Sequence, residues 1–293
     1  MSRKFAVLLL GIPFALGACM TDSGPRHTEP NAFSWTGSVS AGQTLYLRNM
    51  VGGIKVVATD SPTVSVHASK SWRGSGNGNV RFVQQDVDDG VIICTLVGNS
   101  TDCSPSSYSG GGSGRGSKDS HSLNLRDLLG RGKTASVSYV VSVPAGVSVD
   151  VSTISGGIGM ADVSGPVRAE TVNGKVQVAA LTGPVTASSV NGSVSVAIDS
   201  LGGTGDVALS TVNGSVTAEL PASLQAQLSM ETVNGSLHSD FDVTGTDTSA
   251  HKELKGMIGA GGRRVALETV NGSVKLLRGS SGVRQAASTQ PDR

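Results

Sequence analysis

The sequence predicts an all-β chain wound as a solenoid of two-strand coils, and three observations carry that expectation. First, a pentad recurs: TVNGK at Thr171 to Lys175, SVNGS at Ser189 to Ser193, TVNGS from Thr211, Thr232 and Thr269, and a degenerate TISGG from Thr153. Second, each copy is followed by alternating apolar residues, such as Val176 and Val178 or Val194 and Val196, the pattern of a turn feeding a strand. Third, the 293 residues include 40 glycines but only 3% aromatics, so Val, Ile, Leu and Ala must fill the core. Such side chains suit narrow, regularly stacked strands.

The repeats VSGPVRAETVNGKVQVAA from Val163 and LTGPVTASSVNGSVSVAI from Leu181 align without a gap at a spacing of 18 residues. Two architectures accommodate them. In an antiparallel β-meander, each Asn-Gly is a two-residue hairpin turn, with Thr171 opposite Val176 and Ala169 opposite Val178. In a solenoid, each unit is one coil bent at SGP and VNG, and like residues stack on like. Asn173, Asn191, Asn213, Asn234 and Asn271 then form a structural ladder of amides along one corner. The solenoid accounts for more, because it makes the sameness of successive copies useful for register.

The chain opens with Arg3 and Lys4, an apolar run from Phe5 to Ala15 too short to span a bilayer, and Leu16, Gly17, Ala18, Cys19. This resembles the lipobox of bacterial lipoproteins. The resemblance implies a signal peptide over 1–18, lipidation of Cys19, and, with Met20 after the cysteine, an outer-membrane lipoprotein that is periplasmic or surface-facing. Residues 19–32 are polar, with Pro25 and Pro30, and read as a tether. Of the remaining cysteines, Cys94 and Cys103 flank the turn-rich GNSTD in an exported chain, and a disulfide between them is expected.

Strand signals run from Phe33 through Thr44 to Leu47, Met50 to Val56, Val64 and Val66, Val80 to Val83, and Val91 to Leu96. A Gly/Ser-rich insertion over about 104–134 reads as disordered, with a helical turn at Leu123 to Arg131. Alternation resumes at Ser136 and continues to Leu277. It is interrupted by an excursion from His238 to Gly262 and followed by a tail over 278–293 expected to be mobile.

The early GxIxV at Gly52 to Val56, YVVSVPAG at Tyr139 to Gly146, the repeated TVNGxV units and the closing RRVALETVNGSVKL resemble the bacterial adhesin-like family of β-strand repeat proteins. That family is domain of unknown function 4097, related to the head GIN domain adhesins. The resemblance covers 33–277 outside the insertion. It implies a right-handed parallel β-helix-like solenoid, often exported, with no established catalytic residues.

Little in the residues points to chemistry. The five histidines, His27, His67, His121, His238 and His251, lack metal-type spacing. Asp86, Asp88 and Asp89 lack the repeated oxygen-ligand spacing of a calcium loop. GRGKT at Gly130 to Thr134 fails as a phosphate loop, because Asp127 stands where the first glycine is required. Net charge is +1, which argues against nucleic acid as a partner. The expectation is a non-enzymatic, cofactor-free envelope module, structural or adhesive. It would hold the membrane through its lipid and meet an envelope polymer, a protein or another copy of itself. Two alternatives are a periplasmic ligand-binding or sensor protein using the insertions and, remotely, a polysaccharide-active enzyme.

Overall fold

The computed structural model describes residues 26–73, 80–97, 103–105, 135–201, 205–248 and 252–279. All regular structure among them is β. The N-terminal part supplies β1 (Arg26–Gly37), β2 (Thr44–Val51), β3 (Ile54–Ala58), β4 (Val64–Arg73), β5 (Val80–Val87) and β6 (Gly90–Val97). The repeats supply β7 (Ser136–Val143), β8 (Ser148–Ser155), β9 (Ile158–Val163), β10 (Val167–Asn173), β11 (Val176–Ala180), β12 (Val185–Asn191), β13 (Val194–Ile198), β14 (Val207–Asn213) and β15 (Val216–Pro221). The C-terminal part adds β16 (Ala226–Asn234), β17 (Leu237–Ser239), β18 (Thr244–Thr248), β19 (Glu253–Ile258), β20 (Arg263–Asn271) and β21 (Val274–Gly279).

The strands form two sheets. One runs β1-β4-β7-β3-β9-β11-β13-β15-β21-β17 and the other β18-β19-β16-β20-β14-β12-β10-β8-β2-β6-β5. The two strands flanking each VNG lie in different sheets, and each pairs in parallel with its counterparts in neighbouring coils. Thr171 thus faces Thr153 and Ser189, not Val176. Val176 faces Ile158 and Val194. The fold is therefore a β-solenoid, and the meander does not form.

Alternation explains the core. In β10, Val167, Ala169 and Thr171 point inward while Arg168 and Glu170 point out, and β12, β14 and β20 repeat the pattern in register. Opposite them stand Val176, Val178 and Ala180 and their equivalents, so one continuous aliphatic core fills the space between the sheets. The large aromatic residue deep inside is Tyr139, near the N-terminal end, where Phe33 and Phe82 pack against the same core.

The corner at VNG sets the spacing of the coils. A Cβ on Gly174 would lie 2.0 Å from the carbonyl oxygen of Gly156, on Gly192 1.8 Å from that of Gly174, on Gly214 2.3 Å from that of Gly192, and on Gly272 2.0 Å from that of Gly214. The glycine is required because backbone meets backbone there. A hairpin turn is not the reason.

The ends depart from simple stacking. β20 and β21 enter between β14/β15 and β16/β17, so the later coil lies inside the earlier one. At the other end, β6 and β7 stack outside β2 and β3 before the chain returns to β8. Antiparallel strands close the edges: β1 and β4 against β7, β5 against β6, and β18 and β19 against β16. The excursion after His238 is thus partly an ordered hairpin covering an edge that would otherwise invite pairing.

Three boundaries shift. Residues 26–32, expected in the tether, belong to β1, held by Lys70 to Glu29 at 2.8 Å and by a register change between Glu29 and Phe33 that accommodates Pro30. Arg278 and Gly279, expected in the tail, continue β21 beside Leu220 and Pro221. In the expected insertion, Ser104 and Pro105 are described, and 106–134 lie outside the described residues, as do the signal segment with Cys19 and residues 280–293.

The corner packing predicts that Gly192→Ala lowers stability by roughly 3 kcal/mol, read as the urea midpoint. Gly159→Ala, where a Cβ meets nothing within 4 Å, should leave the midpoint unchanged or raise it slightly.

Candidate functional site

Three parallel files of side chains run along the VNG corner. In the first, the buried hydroxyl one residue before Val donates to the glycine carbonyl of the adjacent coil. Thr171 donates to Gly156 at 2.9 Å, Ser189 to Gly174 at 3.0 Å, Thr211 to Gly192 at 2.7 Å, Thr269 to Gly214 at 2.9 Å and Thr232 to Gly272 at 2.9 Å. Thr153 makes the same bond to Gly52 at 3.2 Å. At the N-terminal end, Asn49 takes over this role, donating to the carbonyls of Gly52 and Val137.

The second file is the amide ladder. Asn191 Nδ2 donates to Asn173 Oδ1, Asn213 to Asn191, Asn271 to Asn213 and Asn234 to Asn271, each at 2.9 Å. The order along the corner is 173, 191, 213, 271, 234, because β20 lies between β14 and β16. Beneath the amides, Gly174 N–H donates to the carbonyl of Asn191 and Gly192 N–H to that of Asn213, so backbone and side chain bridge the same coils.

The third file is apolar and faces solvent. Val172, Val190, Val212, Val270 and Val233 stand outward between the buried hydroxyl and the exposed asparagine. The last four are 38%, 41%, 40% and 58% exposed. At a strand spacing of about 4.8 Å they make a straight apolar stripe beside the amides. On its other side lies an outward row of Glu170, Ser188, Ser210, Glu268 and Glu231. Lys255 sits by this row, its ammonium held above the ordinary lysine range first by the Glu253 carboxylate, with Glu231 and Glu268 adding to the effect.

A second polar cluster lies on the outer face of the same sheet near its N-terminal end. Arg48, only 3% exposed, donates from Nη1 to the carboxylate and carbonyl of Asp150, both at 2.8 Å, and from Nη2 to the carbonyl of Pro105 at 2.8 Å. Cys94 and Cys103 are joined by a disulfide, with Cα atoms 5.9 Å apart, and this bond holds the Pro105 segment over Arg48. Tyr46 donates to Asp89 at 2.5 Å. Burial, followed by that hydrogen bond, pushes its phenol above the usual tyrosine range.

The other singled-out residues stay apart. His27 stacks on Trp72, His67 meets Ser34, and His238 meets Asp240, whereas His121 and His251 lie outside the described residues. Asp86, Asp88 and Asp89 lie at the β5–β6 turn. Among the described residues, no group of three or more His, Cys, Asp or Glu is arranged to hold a metal ion, and no helix is long and apolar enough to cross a membrane.

Sequence reasoning missed the hydroxyl file and the outward valines, although both were present in the repetition of Thr and Val within the pentad. It also missed the edge clamp at Asp240. That carboxylate accepts from the backbone N–H of Arg278 at 3.1 Å, while the Arg278 guanidinium donates to the Asp240 carbonyl at 2.9 Å.

Thr211→Val, which keeps the shape and loses one buried hydrogen bond, should cost about 1 kcal/mol, measured by urea unfolding. The Asp240 carboxyl is held below its ordinary 3.8, first by the Arg278 N–H and then by His238. A depressed folded value means that the clamp contributes fully above the unfolded value and is lost as pH falls through the folded one. Amide exchange at Arg278 should therefore speed up below about pH 4 relative to the rest of β21, and Asp240→Asn should remove that pH dependence.

The family model of Toastrack DUF4097 matches residues 114–277, more than half of the chain. No curated protein matches. Solved structures with some similarity include a "putative cell adhesion protein" from Clostridium sporogenes, 14% identical with a TM-score of 0.41, covering 86% of this chain and 100% of that one. Another is a "putative adhesin" from Bacteroides fragilis, 10% identical with a TM-score of 0.30, covering 84% of this chain and 96% of that one. The extended match to the family model shows that this chain belongs to the Toastrack DUF4097 family.

Proposed function

We propose that this protein is a non-enzymatic, lipid-anchored module of the cell envelope that acts by adhesion or scaffolding. Its contact surface is the outer corner of the solenoid. The observation that carries this reading is the exposed valine stripe flanked by the amide ladder. Buried polar groups in the files are satisfied internally, so the hydroxyls hold register and only the valines and the free sides of the amides face outward. A surface with one repeated contact every ~4.8 Å suits an extended envelope polymer. Such a partner gains by adding weak, identical contacts, each of which raises the local concentration for the next.

The lipobox-like segment ending at Cys19 supports attachment to the outer membrane. A lipid on Cys19 would leave the solenoid on a short lead, close to the surface it decorates.

Val190→Ser with Val212→Ser should abolish capture of the envelope partner in whole-cell crosslinking while shifting stability by no more than about 0.5 kcal/mol. Undiminished capture by that double variant would refute the stripe as the contact surface. Clickable fatty acid should label the wild-type protein and not Cys19→Ser. Persistent labelling of the variant would overturn the anchor assignment.

A further inference from the structure

The edge of the sheet nearest the N-terminus carries a projecting ribbon. β4 pairs with β7 only from Ser65 opposite Ser142 to Ser71 opposite Ser136. Beyond that point Trp72 and Arg73 pair with His27 and Arg26 alone, so the tips of β1 and β4 overhang the solenoid as two strands.

The overhang has a distinct chemistry. Arg26 and Arg73 are directly opposed, and like charges placed so are unfavourable unless an anion is near. His27 stacks on Trp72 with centroids 5.4 Å apart, and Lys70 Nζ lies 5.1 Å from the Trp72 ring centre. Glu29, the one acidic residue in β1 or β4, is engaged by Lys70 at 2.8 Å. β5 continues the polarity: Arg81 lies at its start, whereas Asp86 and the turn residues Asp88 and Asp89 lie at its far end. The ribbon tip therefore presents arginine beside an indole, the combination that settles at the headgroup level of anionic bilayers.

Its position fits that environment. Seven residues separate Cys19 from Arg26, a reach of at most about 24 Å when fully extended. The coulombic pull of a charged membrane surface acts over about 8 Å at physiological salt, so a short lead holds the tip where that pull can capture it.

We propose that the β1–β4 tip, through Arg26, Arg73 and Trp72, docks onto anionic lipid headgroups and fixes the orientation of the solenoid on the membrane. The proposal rests on the lipid-anchor reading for its distance argument. The docking chemistry itself belongs to the described residues and can be tested without the lipid.

The test uses the full chain carrying Cys19→Ser and sedimentation with vesicles of phosphatidylglycerol and phosphatidylethanolamine, or of phosphatidylcholine alone. The expected result is binding to the anionic vesicles only, weakened by added salt, with a blue shift in tryptophan emission that is lost in Trp72→Phe. Arg26→Gln and Arg73→Gln should each reduce binding roughly fivefold, while Lys275→Gln, on β21 far from the tip, leaves it unchanged. Far-ultraviolet circular dichroism of each variant should match the parent, because the substituted side chains lie beyond the last pair with β7.

Equal binding to both vesicle types, no binding to either, or binding indifferent to Arg26 and Arg73 would overturn the proposal. Retention by an acidic polysaccharide in preference to the anionic vesicles would overturn it as well. Fatty-acid labelling of the wild type keeps the two readings separable. Vesicle binding without labelling removes the anchor and leaves the docking tip, whereas labelling without vesicle binding does the reverse.

Discussion

The constraint on which the structure depends is the contact of backbone with backbone at the VNG corner. A Cβ at Gly192 would meet the Gly174 carbonyl at 1.8 Å, and equivalent contacts recur from coil to coil. This proximity admits glycine alone and places a carbonyl where the hydroxyl two residues before Asn can reach it. It also brings the amides of successive asparagines to hydrogen-bonding distance. With Thr turned inward and Asn set at the bend, strand alternation leaves Val facing solvent. Each letter of the pentad thus has a separate physical cause, and all of them follow from one spacing.

Much of this architecture was legible in the chain. Alternating valines and the gapless 18-residue alignment pointed to stacked coils, and the five asparagines pointed to a file along one corner. What could not be read was the order of stacking. Sequence order places Asn234 before Asn271, whereas in space Asn271 lies between Asn213 and Asn234. The strand pattern of β20 is the same whichever neighbours it takes, since its core residues Val265 and Leu267 fit beside either β14 or β16. The reach of β1 back to Arg26 was hidden for a different reason. Residues 26–32 contain little apolar alternation and are held by an ion pair, a ring stack and backbone pairing to β4, none of which leaves a periodic trace.

The candidate surface was half visible. Asn was conspicuous because it is polar and repeated, and Val was read as ordinary strand filling. Only the direction of the side chains separates the buried Val185 from the exposed Val190, and that depends on where the coil bends. The satisfied hydrogen bonds of the corner also limit what the amides can do. Each exposed asparagine within the run spends one donor and one acceptor on its neighbours, so the ladder is a fixed lattice of partly free groups.

The inserted position of β20 and β21 bears on how the molecule is made. A simple solenoid can add coils in the order in which its chain arrives, each one templated by the last. Here β16 and β17 arrive before the strands that will separate them from β14 and β15. They cannot take their final neighbours until nearly the whole chain is available. Completion of the far end is therefore tied to completion of export, and a chain stalled or cut before Arg263 would lack the middle layer that joins its last coil to the rest.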